Sequence, residues 1–301
     1  MTVSEKYLEL GLIGLGRTGE TKGWFSGHYG AAMLAVYYMD REFDLPEHVQ
    51  AGLVRNCESY LERFPDLFKP FAAEEADRRL LDKVVDALRA NAERLSHSGH
   101  GLAFGFLGLK AFLDRPDMIT PSIVDGFAEG LMYATKANPD RYWGIPNYFE
   151  FDPQEIEAIP EYRTLEDMAE RALAECARIY PGKKLNGKMY HFTGEVEHGL
   201  THGQALMEFE RLGYGELTEL SLPNHRIQMR LNRQIAPEVM HTEVKEPAFS
   251  QITSPKMWEK VYNDPHALKV PYAALYLIDK LPEEKRAEAE RNVCKILSQM
   301  K

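Results

Sequence analysis

Histidine is the side chain best suited to proton transfer or metal ligation near neutral pH, and four of this chain's ten histidines stand in matching company. The segments read His28-Tyr-Gly-Ala-Ala, His100-Gly-Leu-Ala-Phe, His202-Gly-Gln-Ala-Leu and His266-Ala-Leu-Lys-Val. The residues 4, 7 and 11 places further on are Ala32, Ala35 and Met39; Phe104, Leu107 and Ala111; Leu206, Phe209 and Gly213; and Val270, Ala273 and Leu277. That rhythm puts each set on one face of an α-helix, with the histidine at the N-terminal end of the buried stripe. Four such helices point imidazoles at one end of a common core. The positive end of the helix dipole disfavours imidazolium, so these rings are expected to be neutral and available as ligand, base or hydrogen-bond donor.

The densest chemistry lies in Glu195-Val-Glu-His198-Gly-Leu-Thr-His202-Gly. His198 and His202 are i and i+4, and Glu195 is i−3 to His198, so all three share a helical face. The spacing matches the two histidines of H-E-x-x-H, but position 199 is glycine and the metalloprotease general base is missing. Glu195, His198 and His202 are therefore read as a metal set, either facial for non-haem iron or part of a zinc site completed by His100 or His28. The catalytic candidates are His28, His100, His198 and His202, with Trp24, Tyr29 and Trp143 as substrate walls. The alternative is structural: histidines at buried helix starts that bond backbone carbonyls or carboxylates. His97 shares the face of His100 if that helix starts early, whereas His48 is given no role and His191, His225 and His241 read as surface or loop residues.

The elements that must position these groups are helical nearly throughout. Periodicity predicts helices at about 24–41, 46–64, 74–96, 99–115, 121–137, 164–180, 195–213, 217–234, 254–263, 266–281 and 283–300, with no convincing strand alternation. Pro46, Pro121, Pro255 and Pro282 fall at or just before helix starts. The expected architecture is all-α, one domain over residues 1–301, with helical hairpins arranged as an α/α toroid or multi-helix bundle. Irregular stretches are expected at 138–163 and 235–253, lengths that suit lids or binding loops.

Gly14-Leu-Gly16-Arg-Thr-Gly19 within residues 11–19 contains the G-x-G-x-x-G pattern of dinucleotide sites. The pattern has meaning only between a strand and a helix, followed by a second strand. Here residues 31–43 continue as helix, so no Rossmann-type NAD or FAD site is expected. The 36 Lys+Arg against 46 Asp+Glu leave a net charge of −10, which disfavours nucleic acid or an anionic membrane as partner. Cys57, Cys176 and Cys294 lack C-x-x-C spacing, which with the missing signal-peptide pattern and apolar span suggests a reducing, cytoplasmic setting.

Three segments resemble the questin oxidase-like proteins. Gly99-His-Gly-Leu-Ala-Phe-Gly-Phe-Leu-Gly-Leu-Lys-Ala-Phe, with a second helix ending Phe127-Ala-Glu-Gly-Leu-Met-Tyr-Ala134, is similar to that family's central hairpin. Ser26-Gly-His28 and its Ala-rich helix resemble the N-terminal histidine-bearing helix, and Val196-Glu-His198-Gly-Leu-Thr-His202 the C-terminal His-x-x-Thr segment, with His198 and Thr201 at the matching positions. The resemblance spans roughly 20–215; His202 and the C-terminal third fall outside it. It implies an α-helical oxidoreductase acting on polycyclic aromatic compounds, as in Baeyer–Villiger-type ring opening. Beside it stand two other readings, a zinc- or iron-dependent hydrolase or lyase of α/α-toroid type and a non-enzymatic helical scaffold.

Overall fold

The computed structural model describes residues 3–136, 160–177, 183–185, 188–190, 193–233 and 246–300. The helices are α1 (Lys6–Gly16), α2 (Gly27–Glu42), α3 (Glu47–Arg63), α4 (Leu81–Ala92), α5 (His100–Asp114), α6 (Pro121–Ala134), α7 (Leu165–Glu175), α8 (Thr193–Leu212), α9 (Gly215–Arg233), α10 (Pro255–Trp258), α11 (His266–Asp279) and α12 (Glu283–Leu297). Among the described residues the sole sheet is an antiparallel pair of three-residue strands, β1 (Lys183–Leu185) and β2 (Lys188–Tyr190). The fold is thus an all-α, multi-helix bundle, and no helix described is long and apolar enough to cross a membrane. Residues 137–159 and 234–245, which hold most of the two expected loops together with Trp143 and His241, lie outside the described residues, as does His191.

The four histidine-bearing helices close a ring: α2 packs on α5, α5 on α8, α8 on α11, and α11 back on α2. Each is followed in sequence by an outer helix that packs against the ring or its neighbours: α3, α6, α9 and α12. The inner helices are buried on several sides, as α5 shows with every residue from His100 to Phe112 out of solvent. An outer helix such as α4 buries one stripe, Val84, Ala87, Leu88, Asn91 and Ala92, and gives the rest to water. All four inner helices run parallel, because their histidine ends meet and their other ends are also joined. There Lys110, buried on α5, reaches Glu42 of α2 and Glu208 of α8 (2.9 Å), while the Tyr272 hydroxyl of α11 donates to Glu42 at 2.9 Å.

Helix α1 is an element that periodicity misses, and it holds the glycine-rich motif as far as Gly16. A Cβ on Gly30 of α2 would sit 2.6 Å from Leu15 N and 2.8 Å from the Gly11 carbonyl, and one on Gly16 would sit 3.0 Å from Ile123 Cα. These glycines let backbones meet at the α1–α2 and α1–α6 crossings, which outweighs their poor helix propensity. The motif begins inside α1 and ends beyond it, at Gly19 in the short 3₁₀ turn Gly19–Thr21, with no strand before it among the described residues. Other boundaries shrink: residues 74–77 are not helical and 78–80 form a short 3₁₀ turn before α4, and the segment expected at 254–263 is the single turn α10.

Candidate metal and active site

Three inner helices begin at or beside their histidine: His28 is the second residue of α2, and His100 and His266 open α5 and α11. His198 stands in the second turn of α8. The rings of His28, His100, His198 and His266 form one cluster, with centroids 4.8 Å apart for His28–His100, 4.1 Å for His100–His198, 4.5 Å for His28–His266 and 4.9 Å for His198–His266. Two of the rings have their tautomer set by their neighbours. His100 Nδ1 faces the His97 carbonyl, which can only accept, so Nδ1 carries the proton. His266 Nδ1 donates to Asp264 Oδ1 at 2.7 Å. The Nε2 atoms of both neutral rings are therefore lone-pair nitrogens, yet they face each other across 3.3 Å. His198 Nε2 approaches the same His266 nitrogen at 3.1 Å.

Two lone pairs at that distance repel unless a proton or a cation lies between them. Ligand nitrogens about 2.0–2.1 Å from a tetrahedral metal stand about 3.3 Å apart, so the spacing suits a metal edge. His28 is fully buried and its Nε2 has no hydrogen-bond partner, whereas its Nδ1 meets Lys269 Nζ at 2.5 Å. Such an orphaned nitrogen is costly unless a ligand completes it. Glu197 is buried beside the cluster, with Oε1 3.9 Å from His266 Nδ1. His28, His100 and His266, and likewise Glu197, His198 and His266, bring candidate ligand atoms within 4.8 Å of one another. The His266–Asp264 bond is of the kind by which a carboxylate on the far ring nitrogen orients a metal-bound imidazole.

Electrostatics keep the cluster in its ligating form. Burial first, then Lys269 and the neighbouring imidazoles, hold His28 far below the ordinary histidine pKa; burial and then His198 and His266 do the same to His100. Burial and Lys269 also lower His266, against the pull of Asp264. Asp264 resists the upward push of burial and is held at about 2 by His266. Lys269 is lowered to about 7 by burial, offset in part by Asp264 and Glu197. An amine poised there exchanges protons readily at neutral pH.

Aromatic rings cover one side of the cluster. Trp24 lies 4.7 Å from His100 and 4.4 Å from His97, and Phe25, 54% exposed, lies 4.8 Å from His28. With Trp24 only half-buried, these rings mark the solvent side of the site. Tyr29 points elsewhere: its ring packs on Phe64 (4.2 Å) and Tyr60 (5.3 Å), between α2 and α3.

Of the expected set Glu195, His198 and His202, the structure sends the two histidines to different neighbours. The Glu195 side chain lies outside the described residues, and His202 turns to α9. Its Nδ1 bonds Gln228 Oε1 at 2.8 Å and its Nε2 bonds Ser221 Oγ at 2.9 Å, so both nitrogens are engaged. His225, expected at the surface, is wholly buried against it, between the Tyr162 hydroxyl (2.8 Å) and the Gly199 carbonyl (3.0 Å). His48 bonds the Thr253 carbonyl at 2.7 Å. Glu197, Asp264, His266 and Lys269 replace the missing members. His266 carries the ladder signal from the outset, and Lys269 is the only Lys, Arg, Asp or Glu between His266 and Ile278. Asp264 looks like ordinary helix-start punctuation, and Glu197 is one residue off the face that periodicity selects.

No family model, curated protein or solved structure matches this chain. The geometry of the cluster is what bears on function.

Proposed function

We propose that this chain is a metal-dependent oxidoreductase that oxygenates or cleaves a small aromatic metabolite, with His28, His100, His198 and His266 as the metal's protein ligands. The observation that carries the reading is the convergence of His100 and His198 Nε2 on the lone pair of His266 Nε2, with the other side of His266 fixed by Asp264. Four neutral imidazoles suit iron, copper or zinc better than magnesium or calcium, and iron would supply the oxygen chemistry that the likeness to questin oxidases implies. Asp264 holds the ring of His266 in its ligating tautomer. Lys269 is placed to give or take a proton beside His28, and Trp24 and Phe25 offer apolar faces where a flat substrate would enter.

A scaffold whose histidines merely end packed helices has no reason to orphan His28 Nε2 or to oppose two lone pairs. A hydrolase remains as a second reading because Glu197 supplies a buried carboxylate beside the set. Metal quantification on purified protein, followed by reloading the stripped protein with Fe(II) or Zn(II), separates these. The expected result is bound metal in the parent, its loss in His266→Ala, and oxygen uptake with polycyclic quinones by the iron form. Ester or amide cleavage by the zinc form alone would favour the hydrolase, and a parent chain that takes up no divalent metal would remove both.

A further inference from the structure

Residues 97–99 are three successive residues with positive φ: His97 (41°), Ser98 (56°) and Gly99 (81°). Only the third is a glycine, and non-glycine side chains rarely adopt this backbone region unless the surroundings impose it, so something must hold them. The turn is buried, and its product is the His97 carbonyl aimed at His100 Nδ1.

What holds it is a hydrogen-bonded chain from α9 whose direction follows from chemistry. Gln228 bonds the Ser98 carbonyl at 3.0 Å, and a carbonyl only accepts, so the amide nitrogen points there. Its oxygen then faces His202 and takes the Nδ1 proton, which leaves His202 Nε2 to accept from the Ser221 hydroxyl. Turning the amide over would set its oxygen against the Ser98 carbonyl, so one polarity fits. The His202 ring also closes the space above Gly99, where an added Cβ would lie 2.8 Å from Nδ1. Ser221, His202 and Gln228 are each buried.

We propose that Ser221, His202 and Gln228 form a positioning relay that clamps the left-handed turn His97–Gly99 and thereby fixes the tautomer and aim of His100. The effect on metal binding rests on the function proposed above; the effect on the tautomer does not. Histidine-selective ¹⁵N labelling of the metal-free protein reads the tautomer, with His100→Gln assigning the signal. The parent should show His100 protonated at Nδ1. Gln228→Met, which keeps the volume, and Gln228→Glu, which removes the amide donor, should both lose that lock while His266 keeps its own. Adding Ser98→Gly relieves the strained residue and should restore the lock to Gln228→Met, or its fold should that variant fail to fold. In the metal-loaded protein the Gln228 variants should bind about 10–100-fold more weakly, the usual effect of losing an outer-shell partner. A folded Gln228→Met protein with His100 unchanged overturns the relay, as does a double variant no better than the single one. A parent that binds no metal yet shows the lock, lost in Gln228→Met, supports the relay and refutes the metal reading.

Discussion

At the scale of the residue, each imidazole is defined by what occupies its other nitrogen. His202 has both nitrogens bonded within the protein, so it has no lone pair to give, whereas His266 spends Nδ1 on Asp264 and keeps Nε2 for the cluster. The Asp264 carboxylate therefore does more than start a helix. Asp264→Asn keeps the shape and the backbone hydrogen bond to His266 is open to its side-chain oxygen, but the amide no longer carries the charge that makes the ring a stronger donor. Metal affinity should fall about 10–100-fold with the fold intact, as measured by competition with a chromophoric chelator. Equal affinity in parent and variant would mean that His266 is not a ligand. A mutation of His202 should act at one remove, as a loss of buried hydrogen bonds that leaves Gln228 and Ser221 unpaired and so loosens the turn that aims His100.

At the scale of the element, the sequence displays the inner helices and conceals their phase. The ladder after His202 is real, since Leu206 and Phe209 are fully buried, but a helical stripe repeats every turn. His198, one turn earlier, begins it equally well through His202, Ala205 and Phe209. Only the neighbours distinguish the two: α5 and α11 meet α8 at His198, while α9 covers His202. The turn at 97–99 and the role of Asp264 are likewise set by packing that no local pattern encodes. Helix α1 is hard to read for another reason: glycine is a poor helix former, and Gly11, Gly14 and Gly16 gain a use only from the helices packed on them. Gly30→Ala should show that use, because the new methyl would meet main-chain atoms of α1 that cannot rotate away. The expected cost is about 1–3 kcal/mol or more in denaturant unfolding, against about 0.5 kcal/mol or less for Gly23→Ala, where the nearest such atom is 3.9 Å away. Equal costs would mean that α1 and α2 do not cross so closely.

At the scale of the whole molecule, the bundle keeps ionisable groups in its interior at both ends, and its stability must depend on pH. At one end Glu208, pushed up by burial, is brought below the usual carboxylate range by Arg211 and Lys110. At the other, His202 is lowered to about 4 by burial, against the Gln228 bond, and His225 to about 3 by burial and then His202. His225 faces the Tyr162 hydroxyl, the Gly199 carbonyl and the His202 ring, none of which carries a negative charge to favour imidazolium. Both groups titrate near 6.5 when unfolded. Between that value and the folded pKa the unfolded chain binds more protons than the native one, so the stability these two rings contribute is complete above about pH 6.5 and falls as the solution is acidified. Each histidine contributes a slope of up to about 1.4 kcal/mol per pH unit, over pH 6.5 to about 4 for His202 and to about 3 for His225. Urea midpoints should therefore drop in the parent protein as the pH is taken from about 6.5 to 4.5, and His225→Gln, although less stable at neutral pH, should show a shallower slope over that range. If the two slopes coincide, His225 is not held neutral by the fold, and the buried pair that seats α9 against α8 is not packed as described.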